Sequence, residues 1–335
     1  MSTNLSTSYL GLPLKNPLVI AACPLTQEPD TLRRLEDSGA AAAVLPSLFE
    51  EQIVHDDLAF SDAQDFATDS FPEALTFFPE PQEYRTGPTA YLEMVEQAKK
   101  AVSIPVIGSL NCTSTGGWTS YAKRIEQAGA DALELNVYFL ATDLELSGAD
   151  VESQYLDAVA AVKQSISVPL AVKVGPYFSA MGNMAKRLAE AGADGLVLFN
   201  RFIQPDVDLK KMDISPELLL STPGELLVPL RWVAILRGRI DASLAINGGI
   251  DDAEGLLKAL LVGADVGMVA STLYRHGLDH IETLLDGLAQ LIKLKHLESV
   301  EQLKGSMSRE NCPDPAAFAR GNYMKALTSF TGPAI

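Results

Sequence analysis

Cysteine is scarce in this chain. Cys23, Cys112 and Cys312 are three residues in 335, odd in number and far apart. They form no CxxC pair, so neither a disulfide framework nor a cysteine-ligated iron–sulfur cluster within one chain is available. Positive charge is also short: 26 Lys and Arg stand against 43 Asp and Glu, a net charge of −17. Such a surface repels phosphate backbones over most of its area, which excludes a broad nucleic-acid interface. There is no apolar run of about 18 residues, the length a membrane-spanning helix needs. The opening MSTNLSTSYLGLPLKNP has neither a hydrophobic signal core nor an Arg-rich transit pattern. These absences predict a soluble cytoplasmic protein with no nucleic-acid and no membrane partner. Of four histidines only His276 and His280 share a helix turn. That pair reads as a solvated helix start, and no metal is expected.

What the chain does contain is a recurring phrase. Gly-Ala follows an amphipathic helix and precedes a short apolar run four times, in EDSGAAAAVLPS, EQAGADALELNV, AEAGADGLVLFN and LLVGADVGMVAS. Glycine just past a helix end adopts the left-handed conformation that stops the helix. A second phrase, Ser-Ile/Val-Pro, introduces SIPVIGSL and SVPLAVKV. Collected, the apolar runs predict eight strands at 17–22, 42–47, 105–110, 132–137, 169–174, 195–200, 243–247 and 266–270. Most are continuous rather than alternating, as parallel strands buried on both faces require. Helical patterns at 91–102, 117–128, 151–165, 179–191, 225–237, 251–261 and 279–293 separate them. Eight such units predict an α/β fold, a closed (β/α)8 TIM barrel; an open doubly wound sheet is the alternative. One domain spans 1–335, with a barrel core over about 8–295 and a C-terminal extension over about 296–335 that packs on the barrel exterior. Two stretches, about 52–88 and 201–224, exceed the usual connection. Both leave carboxyl ends of strands, where such barrels build their sites, and read as a lid or a partner contact.

Several residues at those strand ends can carry chemistry. Lys173 lies inside the apolar run PLAVKV; an inward ammonium there needs an anion, cofactor or substrate carbonyl, whereas an outward one would only snorkel between helices. Asn136, Asn200 and Asn111 stand at strand exits and offer paired donors and acceptors suited to a flat polar heterocycle. Gly248 and Gly249 let backbone approach an anion, the helix beginning DDAEGLL offers its amino end, and Ala270-Ser271 follows the eighth strand in the same manner. Cys23, at the end of the first run, faces the same mouth but has no evident basic activator.

Taken together these positions resemble the dihydroorotate dehydrogenase superfamily of FMN-containing barrels, from LKNPLVIAAC to ASTLYRHG. AGADALELN is similar to the family's approach to a flavin- and substrate-contacting asparagine, here Asn136. PLAVKVGPYF is similar to the motif whose lysine contacts the flavin ring, here Lys173. INGGI with GADVGMVASTLYRHG resembles the flavin phosphate site and implies Gly248, Gly249, Ala270 and Ser271. The same correspondence implies Ala22, Asn111, Phe199, Asn200 and Gly224 at the flavin or substrate. SLFEEQI and VLFNRFIQPD are most similar to the bacterial dihydroorotate dehydrogenase-like proteins.

The chain also departs from the family. Where the family places a cysteine or serine base after the asparagine, this sequence reads Asn136-Val137-Tyr138-Phe139-Leu140-Ala141-Thr142-Asp143 and puts Phe139 at that position. A lysine common after the second strand is replaced by Pro46. Losing a general base forgoes about 10²–10⁴ in rate unless another group serves, and Tyr138, Thr142 or Asp143 are the candidates. The resemblance thus implies an FMN-dependent oxidoreductase of pyrimidine metabolism. It would move hydride between a C–C bond of a dihydroorotate- or dihydropyrimidine-like substrate and flavin. Lys173, Asn136, Tyr138 and Thr142 would act in catalysis. The expected partners are a small-molecule substrate, a second copy in a homodimer and an electron-acceptor protein. An FMN-binding protein with little turnover, acting through a partner, is the rival reading; a Schiff-base lyase using Lys173 on a sugar phosphate is a further one.

Overall fold

A computed structural model describes residues 3–50, 52–53, 87–112, 118–201, 205–216, 218–315, 324 and 327–329. Strands β1 (Thr7–Tyr9) and β2 (Leu12–Leu14) form an antiparallel hairpin apart from the main sheet. Strands β3 (Leu18–Ile20), β4 (Ala42–Phe49), β5 (Val106–Cys112), β6 (Ala132–Val137), β7 (Leu170–Val174) and β8 (Gly195–Leu198) then pair in parallel, each with the next. A second antiparallel hairpin, β9 (Pro205–Asp208) with β10 (Asp213–Pro216), interrupts the series. Strands β11 (Ser243–Asn247) and β12 (Val266–Val269) complete it. β12 pairs with β3 and β11 with β8, which closes an eight-stranded parallel barrel and excludes the open sheet. All eight expected strands are present, and helices Pro88–Ala101, Trp118–Gln127, Gly148–Ser165, Met181–Glu190, Leu227–Leu236, Ala253–Val262 and His280–Leu294 lie where the periodicity puts them.

The recurring phrases have a structural cause. Gly39, Gly129, Gly192 and Gly263 all take positive φ, from 102° to 115°, and end their helices as expected. The aspartate that follows in three of the phrases does a second job. Asp131 accepts a hydrogen bond from the Val106 amide at 2.7 Å, Asp194 from Leu170 at 2.7 Å and Asp265 from Leu244 at 2.8 Å. Each carboxylate therefore caps the entry of the preceding strand, and Lys99, Lys163 or Arg237 pairs with it. The glutamate three residues ahead of the glycine fixes the Ser-Ile/Val-Pro phrase. Glu36 accepts from the Ser103 and Ile104 amides, and Glu126 from those of Ser167 and Val168. Proline without an N–H thus sits beside two amides whose hydrogen bonds are supplied by a side chain.

The barrel interior is narrow at its amino end. Ala42, Ala132, Ala171 and Ala245 are all buried there, and the room they leave is filled from below by Tyr9, Leu10 and Leu14 of the first hairpin. Leu10 approaches Gly195 so closely that a Cβ at that glycine would lie 2.5 Å from its side chain. Burying such a leucine contributes roughly 1.5–3 kcal/mol. Toward the other end the interior turns polar with Ser109, Glu134, Asn136 and Lys173, all under 10% exposed. In β4 the register shifts between Val44 and Ser47, and Pro46 occupies this bulge, where a strand tolerates a missing donor. Past the last long helix, the Gly305, Met307 and Arg309 amides donate to the Leu260, Leu261 and Ala234 carbonyls, lacing this stretch onto two outer helices. Most of the first long excursion, 54–86, lies outside the described residues.

Candidate active site

The carboxyl ends of the strands surround a cavity of about 600 Å³, within the usual range for small-molecule sites. Ala21 to Pro24 line it after β3, Pro46 and Ser47 from the β4 bulge, Asn136 from β6 and Lys173 from β7. Asn200 and Arg201 follow β8, Asn247 and Gly248 close β11, and Ala270 and Ser271 follow β12. The bulge explains why two successive β4 residues reach the cavity: a regular strand would turn one of them away.

Lys173 is 6% exposed, and its Nζ stands 3.6 Å from Oε1 of Glu134, itself 1% exposed. The inward reading of this lysine is therefore correct. Asn136 and Lys173 are register partners, and the Asn200 carboxamide donates to Oδ1 of Asn136. Asn247 donates to the Phe199 carbonyl at 2.9 Å, which ties β11 to the exit of β8. Three carboxamides and one ammonium thus surround the floor. On the β4 side, the Ser47 and Ser109 hydroxyls are 2.7 Å apart, and the Tyr91 hydroxyl donates to the Ser109 carbonyl at 2.9 Å. Burial holds the Tyr91 phenol well above its ordinary range, so it stays a neutral donor.

The opposite wall is built from backbone. Gly248 has φ +91°, and nothing within 4 Å would meet a Cβ there, so its peptide is open to close approach. Gly249 has φ +79°, and a Cβ on it would lie 2.4 Å from the Leu226 amide nitrogen. Its own amide donates to Ser221 Oγ at 3.3 Å, and the Ser221 amide donates to Ser271 Oγ at 3.0 Å. Arg275 donates to the Ser221 carbonyl and pairs with Asp251 at 2.7 Å. At the amino end of helix Ala253–Val262 one amide is already taken, because the Asp252 side chain accepts from the Gly255 amide at 2.7 Å.

Cys23 lines the cavity and is nearly buried. Burial pushes its thiol up, against the lowering effect of backbone hydrogen bonds and of one with Tyr274. It is protonated at neutral pH and is no ready nucleophile. His276 stacks at 4.6 Å on His280, whose Nε2 bonds the Asp251 carbonyl at 2.9 Å. Among the described residues no group of three or more His, Cys, Asp or Glu side chains is arranged to hold a metal. Nor, among them, is any helix long and apolar enough to cross a membrane.

No protein-family model matches the chain. Individual relatives do. The chain is 26% identical over 320 residues to an Aeropyrum pernix protein named for dihydroorotate dehydrogenase A (fumarate), across 91% of this chain and 98% of that one. It is 25% identical over 318 residues to dihydroorotate dehydrogenase B (NAD(+)), catalytic subunit, of Thermoplasma volcanium, across 90% and 98%. Against the subunit of the same name from Pyrococcus furiosus it is 26% identical over 309 residues, with the same coverage, 90% and 98%. Along about nine-tenths of its length the chain is thus similar to proteins named as dihydroorotate dehydrogenases.

Of the positions this superfamily resemblance implies, Ala22, Asn136, Lys173, Asn200, Gly248, Ala270 and Ser271 converge on the one cavity. Asn111 is buried beside Asn136 in the sheet, and Phe199 is buried behind the Asn247 hydrogen bond; neither is among the lining residues. Gly249 supports the wall through Ser221, and Gly224 is exposed in the turn Pro223–Leu226. Tyr138 is half-buried, Thr142 is exposed, and neither lines the cavity. Phe139 packs partly buried against the core. Sequence reasoning missed Glu134, Arg201, Ser221 and Asn247. Glu134 sits in an apolar run and Asn247 directly before the Gly-Gly pair, so both were findable; Ser221 and Arg201 lie in or beside a long connection with no periodicity to mark them.

Proposed function

We propose that this chain is an FMN-dependent oxidoreductase of the dihydroorotate dehydrogenase type, acting between a C–C bond of a dihydroorotate- or dihydropyrimidine-like substrate and the flavin. The observation that carries this reading is one cavity holding a buried ammonium and paired carboxamides at its floor and an open glycine peptide with a serine at its far wall. That donor set fits FMN. Lys173, Asn136 and Asn200 would meet the polar edge of the ring, Ala22 its apolar body, and Gly248, Ala270 and Ser271 the phosphate. Bound there, FMN supplies the hydride acceptor. Lys173 contributes a fixed positive charge where negative charge develops, which needs no reorganisation at the moment of reaction. Asn200, steered by its bond to Asn136, presents its remaining donor and acceptor capacity to the ring or to a pyrimidine-like substrate.

Proton transfer is assigned to the loop after β6, with Tyr138 and Thr142 as its hydroxyls; either must swing inward to reach the cavity. A second reading is favoured by Phe139, which packs against the core at the sequence position where the resemblance implies a base: a flavin-binding protein of low turnover, acting through a partner. The names of the relatives make NAD or fumarate reasonable acceptors to test, beside a protein acceptor and a homodimeric assembly. The deciding experiment mixes the flavin-loaded protein anaerobically with dihydroorotate, dihydropyrimidines and NAD(P)H and follows flavin absorbance. Bleaching by a dihydropyrimidine-type donor supports the enzyme, and no bleaching by any donor supports the low-turnover reading.

A further inference from the structure

Glu134 is a buried acid in the barrel interior. It is 1% exposed, and neither carboxyl oxygen has a hydrogen-bond partner. Compare Asp265, whose charge is spread over the Leu244 amide, Arg237 and Lys304. Among the described residues Glu134 has one ionic partner, Lys173, and Lys173 has one, Glu134. A buried carboxylate without donors keeps its field undivided, and low local polarity carries that field to the nearest cation. The neighbouring hydroxyls register it. Tyr9, also buried without a hydrogen-bond partner, has its phenol pushed up by burial and then by Glu134, and Tyr91 feels the same carboxylate after its burial. Small apolar residues flank the pair on the same inward faces, Ala132 on β6 and Ala171 on β7, so apolar packing was available at this level of the barrel. A pair of this kind contributes little to stability compared with apolar side chains of the same size, so its presence at a cavity floor calls for another reason.

We propose that Glu134 is a positioning residue: it fixes the Lys173 ammonium at the cavity floor and offsets its charge, thereby setting how strongly the site favours reduced over oxidised flavin. This rests on the flavin reading above. With Glu134 present, the floor is close to neutral; without it, Lys173 presents a full positive charge to the ring, and the more electron-rich form binds better. The carboxylate touches neither flavin nor substrate in this account and acts only through the lysine.

The test uses the full chain loaded with FMN, its midpoint potential read against reference dyes. Glu134→Gln keeps shape and removes charge. The expected result is a three- to tenfold gain in preference for reduced over oxidised FMN, tenfold being about 30 mV for a two-electron couple. Glu134→Asp keeps the charge and should stay within about twofold of wild type, and Lys173→Met should move the preference the opposite way. A potential unchanged in Glu134→Gln, with FMN bound, overturns the proposal, as does an equal shift in Glu134→Asp. If wild type takes up no FMN, the flavin reading fails and so does the tuning of a flavin. The pairing itself is then read on the same apoproteins by acetic anhydride labelling of Lys173 at fixed pH, quantified on its peptide. Labelling at least threefold faster in Glu134→Gln than in wild type upholds the positioning role, and equal rates overturn it.

Discussion

The buried pair at the cavity floor makes a stability prediction that needs no cofactor. At the observed 3.6 Å, and with the effective dielectric near 20 that suits protein sites, two unit charges attract by about 4–5 kcal/mol. Desolvation offsets much of that gain, so the net worth of the pair is small. Removing one partner is a different matter, because it strands the other charge in the interior at a cost of about 3–5 kcal/mol. Lys173→Met and Glu134→Gln should each show a loss of that order, and the double variant should recover most of it. Unfolding entropy of about 2.1 cal/mol/K per residue over 335 residues turns the single losses into Tm decreases of about 4–7 °C. Calorimetry of the four apoproteins completes the cycle. Single variants that melt with wild type, or a double variant whose loss equals the two single losses combined, would refute a coupled buried ion pair.

Three further outcomes follow from separate parts of the molecule. Gly249→Ala places a Cβ against the Leu226 backbone at a positive φ; it should cost more than about 1 kcal/mol, lower Tm, and increase proteolysis near Ser221, which that glycine holds. Glu126 has its carboxyl held below the usual range, first by the Ser167 hydroxyl. A lowered carboxylate stabilises above its unfolded value and loses that contribution as pH falls through the folded one. Glu126→Gln should therefore be less stable than wild type near pH 7 and converge with it as pH falls through the lowered folded value of Glu126, as pH-dependent melting would show. Asn200→Ala removes the carboxamide bonded to Asn136 and should weaken FMN binding about tenfold or more by fluorescence titration, with Tm changed little.

The barrel was legible because its signals were redundant. Continuous apolar runs gave the strands, and the same Gly-Ala phrase recurred at four helix ends whose glycines all take left-handed conformations. The aspartate of that phrase was visible but mute, since its bond to the preceding strand spans about one βα unit and no local rule reveals it. The first hairpin escaped notice because its strands are three residues each and their partner is the barrel interior, a contact set by closure. Lys173 was legible as a charge inside an apolar strand. Glu134 carried the same signal two residues before Asn136 and passed unread, although each charge explains the other. At the helix after Gly249, Asp252 looks in sequence like any acid near a helix start, and only coordinates show its side chain capping the Gly255 amide. The long stretch at 54–86 lies outside the described residues, so its reading as a lid is untouched.

Titration of the purified, refolded apoprotein with FMN tests the central claim most directly. Saturable uptake of one FMN per chain is predicted, with a visible flavin spectrum perturbed from that of free FMN, and Lys173→Met should bind more weakly. A protein that is folded by calorimetry and circular dichroism yet leaves the FMN spectrum and fluorescence unaltered at every concentration would contradict the account.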